Sequence, residues 1–495
     1  MFRFFGPVTL WLLAAVALAA WSTPAVAQTW MQQAPEGTPP SPRYVSSAAY
    51  DDANDRLILF SGEVPGPSPN DVWVLVNASG ARGPAAWIQL YPAGGPPPGR
   101  ELASLVYAPA SNRLIVHGGC GGNCDPVLND VWVLTNANGT GGTPAWIQLP
   151  PAPTYARIAH GAAYDPVNNR MIVFGGSNGY TINTNDVYVL TNADGTGNTT
   201  PGWEKLYPAG AAPAARSCSS AVYDPAANRL LVFAGAQVES YTATNFNDVW
   251  ILTNANGLGG TPAWIEVAPA GILPSPRTTH SAVYDSAAKQ MIVFGGYYDG
   301  RPSQWHADWP TFNDVWVLSN ATGLTGAPRW RQLDAGGAAP VVRGYHTAAY
   351  APASNRMMIT MGRNFNLGLF NDVWVLTDAS TLSVEIDIKP GSLPNTINTG
   401  SGGTVPVAIF GSAVLDARTI NPLTVTLAGA GVQLRGQGVP MASYQDVNGD
   451  GRHDLVVHVI TAALNLSPAD TLAVLTGRTF SGAWIRGADA IRVVR

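Results

Sequence analysis

The sequence predicts an all-β protein: six repeated four-stranded units set around a common axis, closed by an N-terminal strand and followed by a small β-sandwich-like domain. Three observations predict it. An Asn-Asp turn feeding a short apolar run recurs at Asn70 to Leu75, Asn129 to Leu134, Asn185 to Leu190, Asn247 to Leu252, Asn313 to Leu318 and Asn371 to Leu376. These runs lack the alternation of a half-solvated sheet, so each small sheet must be covered on both faces, as neighbours stacked around an axis do. The 53 Gly and 40 Pro punctuate many short segments, as a turn-rich all-β chain requires.

The chain opens Met1-Phe2-Arg3, continues with an apolar stretch from Val8 to Trp21, and reaches the small-residue site Ala25-Val26-Ala27. This reads as a secretory signal peptide over residues 1–27, with Gln28 as mature N-terminus and an extracellular or periplasmic destination. A spanning helix needs roughly 18 to 20 apolar residues. The Val8 stretch is shorter and no later segment approaches that length, so no transmembrane segment is expected after cleavage. Removing residues 1–27 deletes Arg3 and no acid, which moves the formal charge from -5 to -6. That charge leaves no electrostatic footprint for nucleic acid. The mature protein is expected to be a monomer.

Residues 28–379 carry the repeat. Each unit starts at an arginine (Arg43, Arg100, Arg157, Arg216, Arg277, Arg343) that opens the first strand. A turn with Asp-Pro or Ala-Pro in several units, as at Pro166, presets φ where the chain reverses. The second strand ends in small residues such as Gly175-Gly176, which allow positive φ or close backbone approach, and a Cβ at either position is expected to clash. The Asn-Asp run is the third strand, and Trp87, Trp146, Trp203, Trp264 and Trp330 open the fourth. The sixth unit lacks a fourth strand of its own. Trp30-Met31-Gln32-Gln33 stands alone before the first unit and is expected to complete the last one, abolishing an exposed edge. The six arginines read as hydrogen-bonders between units, to carbonyls or to a repeated Asp, and His160, His280 and His346 read the same way.

The opening Arg, the Tyr-Asp turn, the Gly-Gly pair and the following Trp resemble Kelch repeats, from about Trp30 to Leu376, with the arginines 57 to 66 residues apart. The resemblance implies a six-bladed Kelch-type β-propeller. Unit two departs from it at Tyr107-Ala108 and unit six at Met361-Gly362.

Function is expected where the symmetry breaks. The loop between the second and third strands of unit five carries Tyr297, Tyr298, Asp299, Arg301, Trp305, His306, Asp308, Trp309 and Phe312. Tyr297, Tyr298, Arg301, Trp305, His306 and Trp309 are the candidate ligand-binding residues, because aromatic faces beside charged groups stack on sugars or hold peptides. The alternative is an insertion packed over the channel mouth or against the C-terminal domain. His117 stands where four other units carry Phe and precedes Cys120, Cys124 and Asp125, which raises a transition-metal site against a plain odd histidine. Cys120 and Cys124 are expected to form a local disulfide, and Cys218 to be a buried thiol.

From about Ser383 a different pattern of short strands begins, so residues 380–495 form a second all-β domain. Ile386 to Asn398 and Val405 to Ile409 resemble a C-terminal module of secreted prokaryotic proteins. Within it, Asp446-Val447-Asn448-Gly449-Asp450-Gly451-Arg452-His453-Asp454 places oxygen donors at positions 1, 3, 5 and 9, with Gly at 6 for a sharp turn. This spacing suits calcium, and it resembles the loops of integrin-type propeller repeats. That resemblance implies Asp446, Asn448, Asp450, the Arg452 carbonyl and Asp454 as ligands, in a structural role.

The functional expectation is a secreted binding protein that recognises an extracellular glycan, peptide or protein partner through its loop face. The alternative is a metal-dependent carbohydrate-active enzyme, because the resemblance extends to oxidases of the galactose oxidase type and to sugar epimerases. No HExxH motif is present, and no catalytic residue is assigned.

Overall fold

The computed structural model describes residues 28–494 except 154–155, 180–181, 198, 240–241, 299–308, 325 and 413, and the side chains of 123, 239 and 242. Residues 1–27, read from the sequence as a signal peptide, lie outside them. Among the described residues there is no α-helix, and six four-stranded antiparallel sheets follow one another between Thr29 and Thr377. The third shows the pattern: Gly161–Asp165, Arg170–Ser177, Asn183–Thr191 and Gly202–Leu206 pair in chain order. Its first reversal is an Asx turn, in which the Asp165 carboxylate accepts from the Val167 amide at 3.0 Å. Thr29–Gln33 pairs antiparallel with Val373–Thr377, beside Arg356–Thr360 and Thr347–Ala351.

Both faces of each sheet are buried because the hydrophobic clusters lie between repeats. Val106, Ile115 and Val133 of the second repeat pack on Met171, Val173 and Leu190 of the third. Leu57, Leu59 and Leu75 of the first pack on Met358, Val373 and Val375 of the sixth. Each such side chain contributes about 1.5 to 3 kcal/mol of burial, so the seams hold most of the stability. The fourth-strand Trp of one repeat stacks on a second-strand Phe of the repeat before it: Trp146 on Phe60, Trp264 on Phe174 and Trp330 on Phe233, with centroids 5.0 to 5.2 Å apart. Trp30 meets Phe294 in the same way.

The six arginines are buried, and each side chain bonds within its own repeat rather than between repeats, which corrects the sequence expectation. Each guanidinium pairs with the Asp of the Asn-Asp turn (Asp71, Asp130, Asp186, Asp248, Asp314, Asp372) at 2.6 to 3.0 Å. Each also donates to the carbonyl that ends the second strand, as Arg216 does to Ala234 at 3.0 Å. The link between repeats is made by the arginine's own carbonyl, which accepts from the second glycine of the preceding repeat. Gly119 donates to Arg157 and Gly362 to Arg43, both at 2.9 Å. Where both positions are glycine the expected clash is met: a Cβ on Gly118 would stand 2.7 Å from the Arg157 carbonyl and one on Gly175 2.8 Å from the Arg216 carbonyl. In the other repeats Ser61, Ala234 and Met361 hold the first position at φ 57°, 57° and 64°. Only the second is glycine in every repeat; a Cβ on Gly119 would stand 2.7 Å from the Glu101 carbonyl.

Beyond Leu382 the chain forms a five-stranded and a four-stranded sheet around one core that includes Ile388, Val407, Leu427, Val457 and Leu475. This part rests on turns of repeats five and six. Arg478 donates to Ala353 at 3.2 Å, Trp484 to Pro352 at 3.3 Å and Ser481 to Ala287 at 3.1 Å, and Arg486 pairs with Asp378 at 3.2 Å. Those turns join strands one to two and follow strand three. In an antiparallel four-stranded unit they lie on the face opposite the two-to-three loops and the connections between repeats.

Candidate functional site: the mouth on the loop face

On that opposite face the loops and connections of repeats five, six, one and two converge. The two residues after each repeated arginine differ from unit to unit and face the axis. Six of them, Val45, Leu102, Ala159, Cys218, Thr279 and Tyr345, have φ between 52° and 56° or, at Val45, 47°. With Ser46, His160, His280 and His346 they line an axial cavity of about 160 Å³. Ser46 and Thr279 are buried there with hydroxyls that have no protein partner. Cys218 is half-buried at the cavity wall rather than fully buried as expected, and desolvation pushes its thiol up to about 11.

Around the cavity rim stands an aromatic cluster. Tyr345 lies 5.7 Å from both Tyr44 and Tyr297, Tyr297 lies 5.0 Å from Phe365, and Phe365 lies 5.5 Å from Trp309. Arg363 sits among them, its guanidinium 4.5 Å from the Phe365 ring and 5.0 Å from the Tyr44 ring. Its Nη1 donates to Tyr44 Oη at 3.2 Å. Among the described residues no carboxylate comes within ion-pair distance of Arg363, in contrast to the six paired arginines. Gly344 makes the close packing possible, because a Cβ there would meet the Tyr297 ring at 2.1 Å.

Next to Tyr44 lies a carboxyl pair. Tyr44 and Glu63 exchange backbone hydrogen bonds at 3.2 and 2.8 Å, and burial together with the neighbouring Glu63 raises the Tyr44 phenol. Glu101, beside Glu63, is 4% exposed. Burial pushes the Glu101 carboxyl up to about 7; the Ser68 hydroxyl, donating at 2.8 Å, opposes the rise, and the Glu63 charge adds to it. Glu101 also lies beside Cys120 and Cys124, which are joined in a disulfide.

Of the candidate ligand-binding residues, Tyr297, Tyr298 and Trp309 are described, and Arg301, Trp305 and His306, with Asp299 and Asp308, lie outside the described residues. Tyr297 is wholly buried at the end of Gln290–Tyr297, and its hydroxyl donates to the Arg363 carbonyl. It therefore positions Arg363 rather than facing solvent. Tyr298 is 38% exposed at the rim. Phe312 is drawn into the fold, 4.5 Å from the Arg277 guanidinium. Tyr44, Glu63, Glu101, Tyr345, Arg363 and Phe365 are not among the candidate ligand-binding residues read from the sequence. The signal was available in the unequal pairs that follow the repeated arginines.

His117 does not join the cysteines. It is buried in the seam, 4.9 Å from Trp203 and 5.0 Å from His160, and fills the place of the missing Phe. Burial holds its imidazole down at about 4. His160, His280 and His346 bond Ser104, Ser220 and Ser281 of the preceding repeat at 2.7 to 3.0 Å. Burial drives the first two well below the ordinary histidine range and His346 to about 3.

In the C-terminal loop, Asp446 gathers the amides of Gly449, Asp450 and Gly451 at 2.8 to 3.1 Å, and Asp450 pairs with Arg452 at 3.1 Å. Asn448 Oδ1 accepts from the Asp450 amide at 3.1 Å. Asp454 is fully buried and accepts from the amides of Gly411 and Val447 at 2.9 and 2.8 Å. The donor set is all oxygen, the chemistry a hard cation takes, but among the described residues the Asp446, Asp450 and Asp454 carboxylates do not all come within 4.8 Å of one another.

The family model described as the KLHDC2/KLHL20/DRC7 Kelch-repeats domain matches residues 19–155, 142–256 and 196–395. Host cell factor 2 of Homo sapiens is 29% identical over 217 residues, 41% of this chain and 24% of that protein. Host cell factor 1 of Rattus norvegicus is 28% identical over 269 residues, 52% and 12% respectively. Kelch repeat-containing protein 2 of Saccharomyces cerevisiae is 30% identical over 195 residues, 37% and 20%. The chain thus spans at most about a quarter of the length of these curated relatives. Among solved structures, that of YjhT covers 68% of this chain and 95% of its own, at 18% identity and a TM-score of 0.48.

Proposed function

Because the chain belongs to the Kelch-repeat family, we propose that it is a secreted binding protein whose loop-face mouth receives a segment of an extracellular protein partner. One observation carries this reading: Arg363 lies between aromatic rings at the rim of an axial cavity, without a carboxylate partner among the described residues. Aromatic anchors around an arginine are the composition of binding hot spots. The C-terminal module, which contacts the opposite face, leaves this mouth open. The same rings can stack on sugar, so a glycan is the competing occupant. The Asp446 to Asp454 loop holds calcium in a structural role, through Asp446, Asn448, Asp450, the Arg452 carbonyl and Asp454.

The test is selection of the mature chain, residues 28–495, against a displayed peptide library and an immobilised glycan panel. Selected peptides should lose roughly 30-fold or more in affinity, about 2 kcal/mol, on Arg363→Ala. Glycan binding alone would replace the protein partner with a sugar. Binding of either class that Arg363→Ala and Trp309→Ala leave unchanged would place recognition elsewhere.

A further inference from the structure

The Ile386 to Asn398 stretch builds a feature that partner recognition does not use: an open cleft of about 400 Å³ in the C-terminal module. Asp387 belongs to Ile386–Ile388 of the four-stranded sheet and Asp489 to Trp484–Ala490 of the five-stranded sheet. Asn395 precedes Thr396–Asn398, which pairs parallel with Arg492–Val494. The cleft therefore lies at the seam where the two sheets and this parallel pair meet. Glu385, at its rim, follows closely on Thr381, which repeat six still holds through Asn355 at 2.7 Å.

The lining is acidic, and Asp489 Oδ1 accepts from the Ala490 amide at 2.7 Å. Among the described residues no Lys, Arg or His lines the cleft, and Lys389 turns its ammonium to the Thr396 carbonyl at 3.0 Å. Asp489 Oδ2 accepts from the Ile388 amide and from Asn395 Nδ2, both at 2.8 Å. Asn395 is 4% exposed and also donates to the Ala490 carbonyl at 3.0 Å; its Oδ1 has no hydrogen-bond partner. A buried amide oxygen with no donor is costly and calls for a ligand.

We propose that Asp387, Asp489 and Asn395 Oδ1 hold a hard divalent cation of the calcium class, which ties the two sheets together at the linker end of the module. Two carboxylates and an amide oxygen are the oxygen donors such an ion takes, and water completes its shell in a cleft of this size. This site is separate from the Asp446 to Asp454 loop and independent of it.

The test counts calcium by isothermal titration of chelator-treated mature chain with calcium chloride. The native chain is compared with Asp387→Asn and with the loop variant Asp446→Asn/Asp450→Asn. The loop variant should still bind one calcium, with a dissociation constant on the order of 10⁻⁴ to 10⁻³ M, the range of extracellular modules. Asp387→Asn should bind one calcium fewer than the native chain, or bind it roughly tenfold or more weakly. A loop variant that binds none overturns the proposal without any substitution in the cleft, so the test stands even if Asp387→Asn fails to fold. Equal calcium counts and affinities in the native and Asp387→Asn chains overturn it too.

Discussion

Arg363 Nη1 donates to Tyr44 Oη at 3.2 Å, joining residues 319 positions apart in sequence across the seam between the last and first repeats. Arg363 closes no ion pair with a described carboxylate, so it adds little to the seam's stability. Arg363→Ala is expected to shift the unfolding free energy by about 1 kcal/mol or less while removing partner binding. Denaturant titration beside the binding assay separates the two.

The repeated arginines should behave in the opposite way. Arg216→Ala leaves Asp248 without its partner, empties a buried volume and strands the Ala234 carbonyl. A loss of about 3 kcal/mol is expected, with no recovery in Arg216→Lys because one ammonium cannot reproduce the forked contact. Urea unfolding of the three proteins checks it.

The glycine pair of the second repeat is closely hemmed in at both positions. Gly118→Ala, 2.7 Å from the Arg157 carbonyl, and Gly119→Ala, 2.7 Å from the Glu101 carbonyl, should each cost about 2 to 3 kcal/mol in urea unfolding. A loss near zero at either position would contradict the close backbone approach there.

Protonation at the mouth has a defined sign. The folded Glu101 carboxyl is raised to about 7, so the stability it contributes is complete below the unfolded glutamate range and is lost as pH rises through about 7. The thermal midpoint should therefore fall between pH 5 and 8 by more in the native chain than in Glu101→Gln. The seam histidines act at the other end of the scale. Folded His346 is held near 3, so its stabilising share is present above the unfolded histidine range and is lost as pH falls below about 6.5. His346→Gln should flatten that acid limb.

His117→Phe should be stabilising. It restores the Phe and Trp pairing found in four other seams, here with Trp203, and removes a buried Nε2 without a partner among the described residues, which outweighs the lost Nδ1 bond to the Asp130 carbonyl at 3.2 Å. A gain of about 1 kcal/mol is expected, measured by urea unfolding at neutral pH.

Much of this fold was legible because a repeat multiplies each local signal. The Asn-Asp turns, the Trp positions and the doubly apolar runs all mark elements the structure contains. The reach of the arginines was misjudged because side chain and carbonyl point to different repeats, which sequence spacing does not reveal. The site was only half legible. Trp309 and Tyr298 were visible as aromatics in a long loop, whereas Tyr44, Glu63, Glu101 and Arg363 come from four separate connections. They meet only because the repeats curve around an axis. Asn395 and Asp489, 94 positions apart, were invisible for the same reason.

The central claim, that recognition occurs at the loop-face mouth, is tested most directly by hydrogen–deuterium exchange of the mature chain with and without a selected peptide. Protection confined to the segments around Tyr44, Glu63, Tyr345 and Arg363 to Phe365 is the predicted result. Protection confined to the hairpin turns near Ala287 and Pro352, or to the C-terminal module, would contradict it.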